Sequence, residues 1–113
     1  FIISSGDERG INGVLEAAGL AELFASVQGH NTDKSKVVKF QKVRDLFGVD
    51  LDEAVFVTDT LGDLREAKKV GIRAIAETFG FHNRERLKLG EPYAIADTWG
   101  QVEAEIHRLH GEP

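Results

Sequence analysis

Along this chain the hydrophobic positions switch between short unbroken runs and stripes of helical period, and the switches mark out its elements. Phe1-Ile2-Ile3 is an apolar run stopped by Ser4-Ser5-Gly6, which predicts the end of a strand followed by a turn. Ile11, Val14, Leu15 and Ala18 then recur at i, i+3, i+4 and i+7, a helical stripe closed by Gly19. Leu23 to Val27 reads as a second strand and Gly29 to Asp33 as a polar turn. Ser35 is a good N-cap for a helix carrying Val37, Phe40, Val43 and Phe47, with Lys36 in its first turn and Gly48 as its stop. Ala54 to Thr58 is the third strand, and Leu64 to Val70 is its helix, ended by Gly71. Ile72 to Ala76 is a fourth apolar run, Thr78 to Asn83 a loop, and Tyr93 to Ala96 a short edge-type strand behind Pro92. A last helix from about Thr98 places Val102, Ile106 and Leu109 on one face. The order β-α-β-α-β-α-β-loop-β-α predicts an α/β fold with helices packed around a mostly parallel sheet.

The third strand ends abruptly in two carboxylates, Asp59 and Asp63, where the helix begins. Open α/β sheets bind their ligands at the carboxyl ends of strands. Taken singly, an Asp after a strand is an ordinary turn residue and an Asp opening a helix an ordinary N-cap. Together, two converging anions repel and raise one another's pKa, a cost that a bound cation removes. With no His or Cys beside them, they suit a hard, oxygen-seeking ion such as Mg²⁺.

Ser4 also closes a strand, so in a parallel sheet it shares that rim with Asp59. Its hydroxyl and the N–H groups of Ser5 and Gly6 form an anion site, unless the turn only caps the helix that follows. Lys36 stands where its charge opposes the helix dipole; it is a solvated surface charge or the partner of an anion. A hydroxyl, an ammonium and a metal-binding carboxylate pair are parts that phosphoryl transfer needs, because its catalysis is mostly positioning and charge neutralisation. No nucleophile accompanies them. His30, His82, His107 and His110 are the candidate bases, and none is paired with an activated Ser, which argues against a hydrolase triad. Phe79, Phe81 and Trp99 are interface or rim aromatics unless they pack under a loop, which is the expected role of each.

Composition narrows the classes further. The 113 residues, 42% hydrophobic, suffice for one domain with a core. Fourteen Lys and Arg against 19 Asp and Glu give a net charge of -5, and the basic residues are scattered. Neither a nucleic-acid surface nor an anionic-membrane surface is expected. No apolar run has the length of a membrane span. The chain has no cysteine, which removes disulfides, thiolate nucleophiles and thiolate metal sites, and a reducing cytoplasmic setting is expected.

These motifs resemble the haloacid dehalogenase-like (HAD) superfamily, most of whose members are Mg²⁺-dependent phosphatases. Phe1-Ile2-Ile3-Ser4 is similar to the family's second motif, an apolar strand ending in Ser or Thr. Lys36 is similar to the third, a Lys at a helix start, at the spacing of phosphoserine-phosphatase-like members; Lys34 is the alternative, at the spacing of members with a Lys-Pro pattern. Val55-Phe56-Val57-Thr58-Asp59 with Asp63 resembles the fourth, Asp-x-x-x-Asp after a strand. Gly80-Phe81-His82 followed by Glu91-Pro92-Tyr93-Ala94-Ile95-Ala96-Asp97 looks like the tail of phosphoglycolate-phosphatase-like members. The resemblance covers essentially the whole chain. It implies a three-layer α/β/α Rossmann-like core in which an Asp attacks phosphorus and the resulting phospho-aspartyl enzyme is hydrolysed. In that scheme Ser4, Ser5 and Lys36 bind the phosphate of a small phosphorylated substrate, Ser4 and Lys36 assist the chemistry, and Asp59 and Asp63 hold Mg²⁺.

One motif is missing. The family's first, Asp-x-Asp after a strand, supplies the nucleophile, and Asp50-Leu51-Asp52 lies before its strand instead of after it. The chain is therefore expected to be the C-terminal portion of a single HAD-like core, inactive alone, with the nucleophile strand and any cap domain elsewhere in a longer enzyme. A phosphomutase, a dehalogenase and a non-catalytic α/β binding module are the alternatives.

Overall fold

The alternation of elements is realised in the computed structural model, which describes residues 1–111. Every strand pair among them is parallel. The strands form two sheets in two compact units, one spanning Phe1–Phe47 and the other starting at Gly48.

In the first unit β1 (Ile2–Ile3) pairs with β2 (Val27–Gln28), Ile2 opposite Val27 and Ile3 opposite Gln28. The second strand was expected over Leu23 to Val27, but Leu23 closes a 3₁₀ turn, Ala21–Leu23, its N–H donating to Leu20 O at 3.0 Å. Strand length here follows the partner: β1 offers only two residues to pair with. Between them runs α1 (Glu8–Ala17), amphipathic as its pattern predicts, yet with no residue buried. The second helix, α2 (Lys36–Phe47), starts at Ser35, whose Oγ accepts from Val38 N at 3.4 Å. It buries Phe40 and Val43 together with two lysines, Lys36 and Lys39.

In the second unit the strand order is β3 (Val55–Thr58), β4 (Arg73–Glu77), β5 (Ala94–Ala96). Val55 lies opposite Arg73, Thr58 opposite Ala76, and Glu77 opposite Ala96. The central strand, β4, is buried from Ala74 to Glu77, the near-continuous burial of a strand covered on both faces. Between β3 and β4 lies α3 (Leu61–Val70), a full turn earlier than its apolar stripe suggests: Thr60 is the N-cap, and Leu61 supplies a buried first-turn contact. It ends at Gly71 in the left-handed region, φ 79°, as the C-cap glycine predicts. A short α4 (Arg84–Lys88), to which the pattern assigns nothing, follows Asn83, whose side chain accepts from Arg86 N at 3.0 Å; Leu87 anchors it in the core. The final helix, α5 (Trp99–Leu109), packs Val102 against Ile75 and Ala96, with Val55, Val57, Ile106 and Leu109 around them. Among the described residues β1 pairs only with β2 and β3 only with β4, so Ser4 follows a strand of the first unit and Asp59 a strand of the second.

Candidate active site

Ser4 follows directly on β1. Its N–H donates to Gln28 O at 2.9 Å, and its Oγ accepts from Gly6 N at 3.0 Å, so the hydroxyl proton is left to donate. Ser5 beside it is exposed. The turn is tied to the segment after β2. His30 N donates to Gly6 O at 2.7 Å, Gly29 N donates to Glu8 Oε1 at 3.1 Å, Thr32 Oγ1 donates to the same oxygen, and Glu8 N donates to Asn31 Oδ1 at 3.1 Å. Gly29 is required by space: a Cβ there would lie 2.5 Å from Gly6 O and 2.7 Å from Glu8 Cγ.

Of the two candidate lysines, Lys36 is buried at the first position of α2, whereas Lys34 is exposed before the helix. A third, Lys39, was not anticipated. It is fully buried one turn further on, and its Nζ donates to Ser4 O at 2.5 Å. Its signal was present in the pattern: Lys36 and Lys39 each stand next to the Val37-Phe40-Val43 stripe, at helical spacing from one another.

The Thr32 hydroxyl first, then the Gly29 N–H, hold the Glu8 carboxyl below its ordinary pKa of 4.5, opposed by desolvation and helped less by the charge of Lys39. A carboxyl whose folded pKa is depressed contributes stability that is complete above the unfolded pKa and lost as pH falls through the folded value. Glu8→Gln is therefore expected to lower stability at neutral pH, with the deficit shrinking below about pH 4.5. Urea midpoints of parent and variant between pH 3 and pH 7 measure it; a deficit independent of pH would remove Glu8 from the acid limb.

In the second unit the turn from β3 into α3 brings Asp59 and Asp63 onto one short stretch of chain. Thr58, buried at the end of β3, donates through Oγ1 to Asp63 Oδ2 at 2.6 Å, and Asp63 N donates to the Thr60 cap at 3.3 Å. Asp59 is clasped by the loop after β4: Phe81 N donates to its Oδ2 at 2.8 Å and His82 N to its carbonyl at 3.1 Å. Of the four histidines considered as bases, His82 accepts at Nδ1 from Leu61 N at 2.9 Å, a capping role at the start of α3. His107 lies on α5 near Glu103, and His110, the C-cap of that helix, lies against Ile106 O. His30 is exposed. The aromatics differ from expectation. Phe79 and Trp99 are exposed and meet edge to face with ring centroids 4.9 Å apart, and Phe81 is 80% exposed instead of covered by a loop.

One acidic residue escaped the sequence reading because the fourth strand was ended at Ala76. The strand continues through Glu77, which is only 8% exposed and whose Oε1 has no hydrogen-bond partner in the structure. Burial first, then the charge of Asp59, push its carboxyl above the ordinary range, while a hydrogen bond from Gly80 N–H acts in the opposite sense. A Cβ at Gly80 would collide with both Asp59 Oδ2 and Glu77 Oε1, so the two carboxylates flank that glycine. The rule that singled out Asp59, a carboxylate at the carboxyl end of a parallel strand, applies equally to Glu77. Among the described residues no group of three or more His, Cys, Asp or Glu is gathered closely enough to hold a metal ion unaided. None of the helices among them is long and apolar enough to cross a membrane.

The sequence model of the family described as haloacid dehalogenase-like hydrolase matches residues 1–77. The probable phosphatase IndB of Dickeya dadantii is 36% identical over 101 residues, which are 85% of this chain and 43% of that protein. The phosphoglycolate phosphatase of Synechococcus elongatus is 30% identical over 97 residues, 86% of this chain and 46% of that protein. The chain thus spans less than half the length of either relative. The crystal structure of a predicted phosphatase from Clostridium acetobutylicum superposes with a TM-score of 0.84 over 96% of this chain and 53% of its own, at 21% identity, a likeness of fold.

Proposed function

Because this chain belongs to the haloacid dehalogenase-like hydrolases, we propose that it carries the phosphate-binding and metal-binding residues of a phosphatase that hydrolyses small phosphomonoesters. The observation that carries the reading is the acidic turn after β3, where Asp59 and the Thr58-bonded Asp63 sit on consecutive parts of a strand end and a helix start. The surroundings fit a small hard cation: the donors are carboxylates, and Glu77 leaves a buried oxygen unsatisfied beside Asp59, the two side chains approaching each other where Gly80 has none. Asp59 and Asp63 hold the ion in this reading. When bound, Mg²⁺ neutralises charge on the phosphoryl oxygens.

The other residues act on the phosphate. The Ser4 hydroxyl, with its lone pair taken up by Gly6 N–H, donates its proton to a phosphoryl oxygen, and Ser5 contributes its backbone N–H. Lys36 supplies the neutralising ammonium, and Lys39 fixes the Ser4 carbonyl and with it the direction of the turn. An aspartate outside these residues attacks phosphorus as the bond to the alcohol breaks; water then hydrolyses the acyl phosphate and regenerates the carboxylate.

The test is inorganic phosphate release by the full-length protein from an aryl phosphate, phosphoglycolate and a sugar phosphate, with Mg²⁺ and with excess EDTA. Phosphate release from at least one ester, abolished by EDTA and restored by Mg²⁺, is the expected result. No release from any of them, or release indifferent to EDTA, would contradict the reading.

A further inference from the structure

A glutamate at the end of the central strand of a buried parallel sheet is costly unless something satisfies it. Glu77 has that position. Ala76 lies opposite Thr58, so Glu77 and Asp59, each one residue further along, come level on adjacent strands. Neighbouring strands run about 4.8 Å apart. Two carboxylates at that spacing repel, and one of the four oxygens, Glu77 Oε1, is buried without a partner.

Gly80 sharpens the case. Its backbone is outside the left-handed region, so conformation does not demand a glycine there; space does, because a Cβ would occupy the position beside Asp59 Oδ2 and Glu77 Oε1. Gly80 itself is exposed, whereas Glu77 Oε1 behind it is buried. Phe81 N–H serves Asp59 Oδ2 and Gly80 N–H serves the Glu77 carboxylate, which leaves Glu77 Oε1 without a partner. A lone water would satisfy the hydrogen-bonding capacity of Oε1 without relieving the repulsion between two anions. A cation relieves both.

We propose that Glu77 is a further carboxylate of the cation site at Asp59, contributing through its unpartnered Oε1 either directly or through a water of the ion's shell. The inference rests on the reading above only in requiring a cation at Asp59. It makes the site more anionic than the Asp59 and Asp63 pair alone and extends it from one strand end to two. Removing a group that supports a metal or its ligands costs 10- to 100-fold in affinity in typical cases, about the loss expected here.

The experiment is calorimetric titration of MgCl₂ into the substrate-free full-length protein, comparing the parent with Glu77→Gln, Glu77→Asp and Asp59→Asn. Glu77→Gln is isosteric and removes repulsion, so its metal-free melting temperature is expected to equal or exceed the parent's while its Mg²⁺ affinity falls about tenfold or more. Glu77→Asp keeps the charge and is expected to bind Mg²⁺ more tightly than Glu77→Gln; equal, reduced affinities of the two would make Glu77 a packing residue and overturn the proposal. If Asp59→Asn loses Mg²⁺ binding while Glu77→Gln retains the parent's affinity, this proposal falls and the phosphatase reading stands. If Asp59→Asn also binds as the parent does, both fall.

Discussion

Asp59→Asn in the full-length protein is expected to lower kcat/KM for phosphomonoester hydrolysis about 1,000-fold or more while leaving the fold intact. The substitution changes charge and almost nothing else. An asparagine oxygen still accepts from Phe81 N, as Asp59 Oδ2 does at 2.8 Å, and the backbone bond from His82 N to the carbonyl of residue 59 is untouched. What disappears, in the proposed site, is the anion that would offset a divalent cation. A metal ion acting on phosphoryl oxygens contributes several kcal/mol of charge stabilisation, and about 4 kcal/mol corresponds to a thousandfold in rate. Steady-state phosphate release against substrate concentration, with a matched melting curve, measures the effect. An Asp59→Asn enzyme within about threefold of the parent would remove the carboxylate from the metal site.

The second large effect falls on stability. Ile75→Ala is expected to destabilise the protein by about 2–5 kcal/mol, the usual cost of emptying a fully buried aliphatic position. Ile75 lies in the middle of β4, is completely buried, and packs with Ala96 and Val102 inside a ring formed by Val55, Val57, Ile106 and Leu109. Those neighbours come from β3, β5 and α5, so no single side chain can move in to fill the space. Typical domains are stable by only about 5–15 kcal/mol, so this loss is a large share of the total. The same strand ends in Glu77 and supports β3, whose last residue, Thr58, leads into Asp59; loosening it is also expected to weaken the proposed site. Urea unfolding followed by circular dichroism is expected to show a lower midpoint at an unchanged slope. A loss under about 1 kcal/mol would mean that the core is not centred on Ile75.

The elements most legible in the sequence were those whose composition and punctuation agree. β3 and α3 combine a β-branched and aromatic run, a following helical stripe and a C-cap glycine, and both form where expected apart from the first turn of α3. That turn was hidden because Leu61 is its only buried residue before Leu64 and the cap, Thr60, was read as part of a loop. β2 was misplaced because Leu23 and Phe24 are apolar without being paired; the short partner β1 decides where the strand lies. α4 is too short to display a period, with Leu87 its one buried residue.

The site divides along similar lines. Asp59 and Asp63 stand out as candidates because carboxylates break an apolar run conspicuously. Glu77 was missed because it follows directly on apolar residues whose burial it shares, and Lys39 although it stands beside the apolar stripe of α2; the tertiary structure shows that both are buried. The ties behind the Ser4 turn were equally hidden: Glu8 meets Gly29 and Thr32 across more than 20 residues of sequence.

Anomalous diffraction from crystals of the full-length protein soaked in Mn²⁺ tests the centre of this account most directly. A manganese peak about 2 Å from a carboxylate oxygen of Asp59 is the predicted result. A well-ordered Asp59 with no peak beside it, under conditions in which the same protein releases phosphate with Mn²⁺, would contradict it.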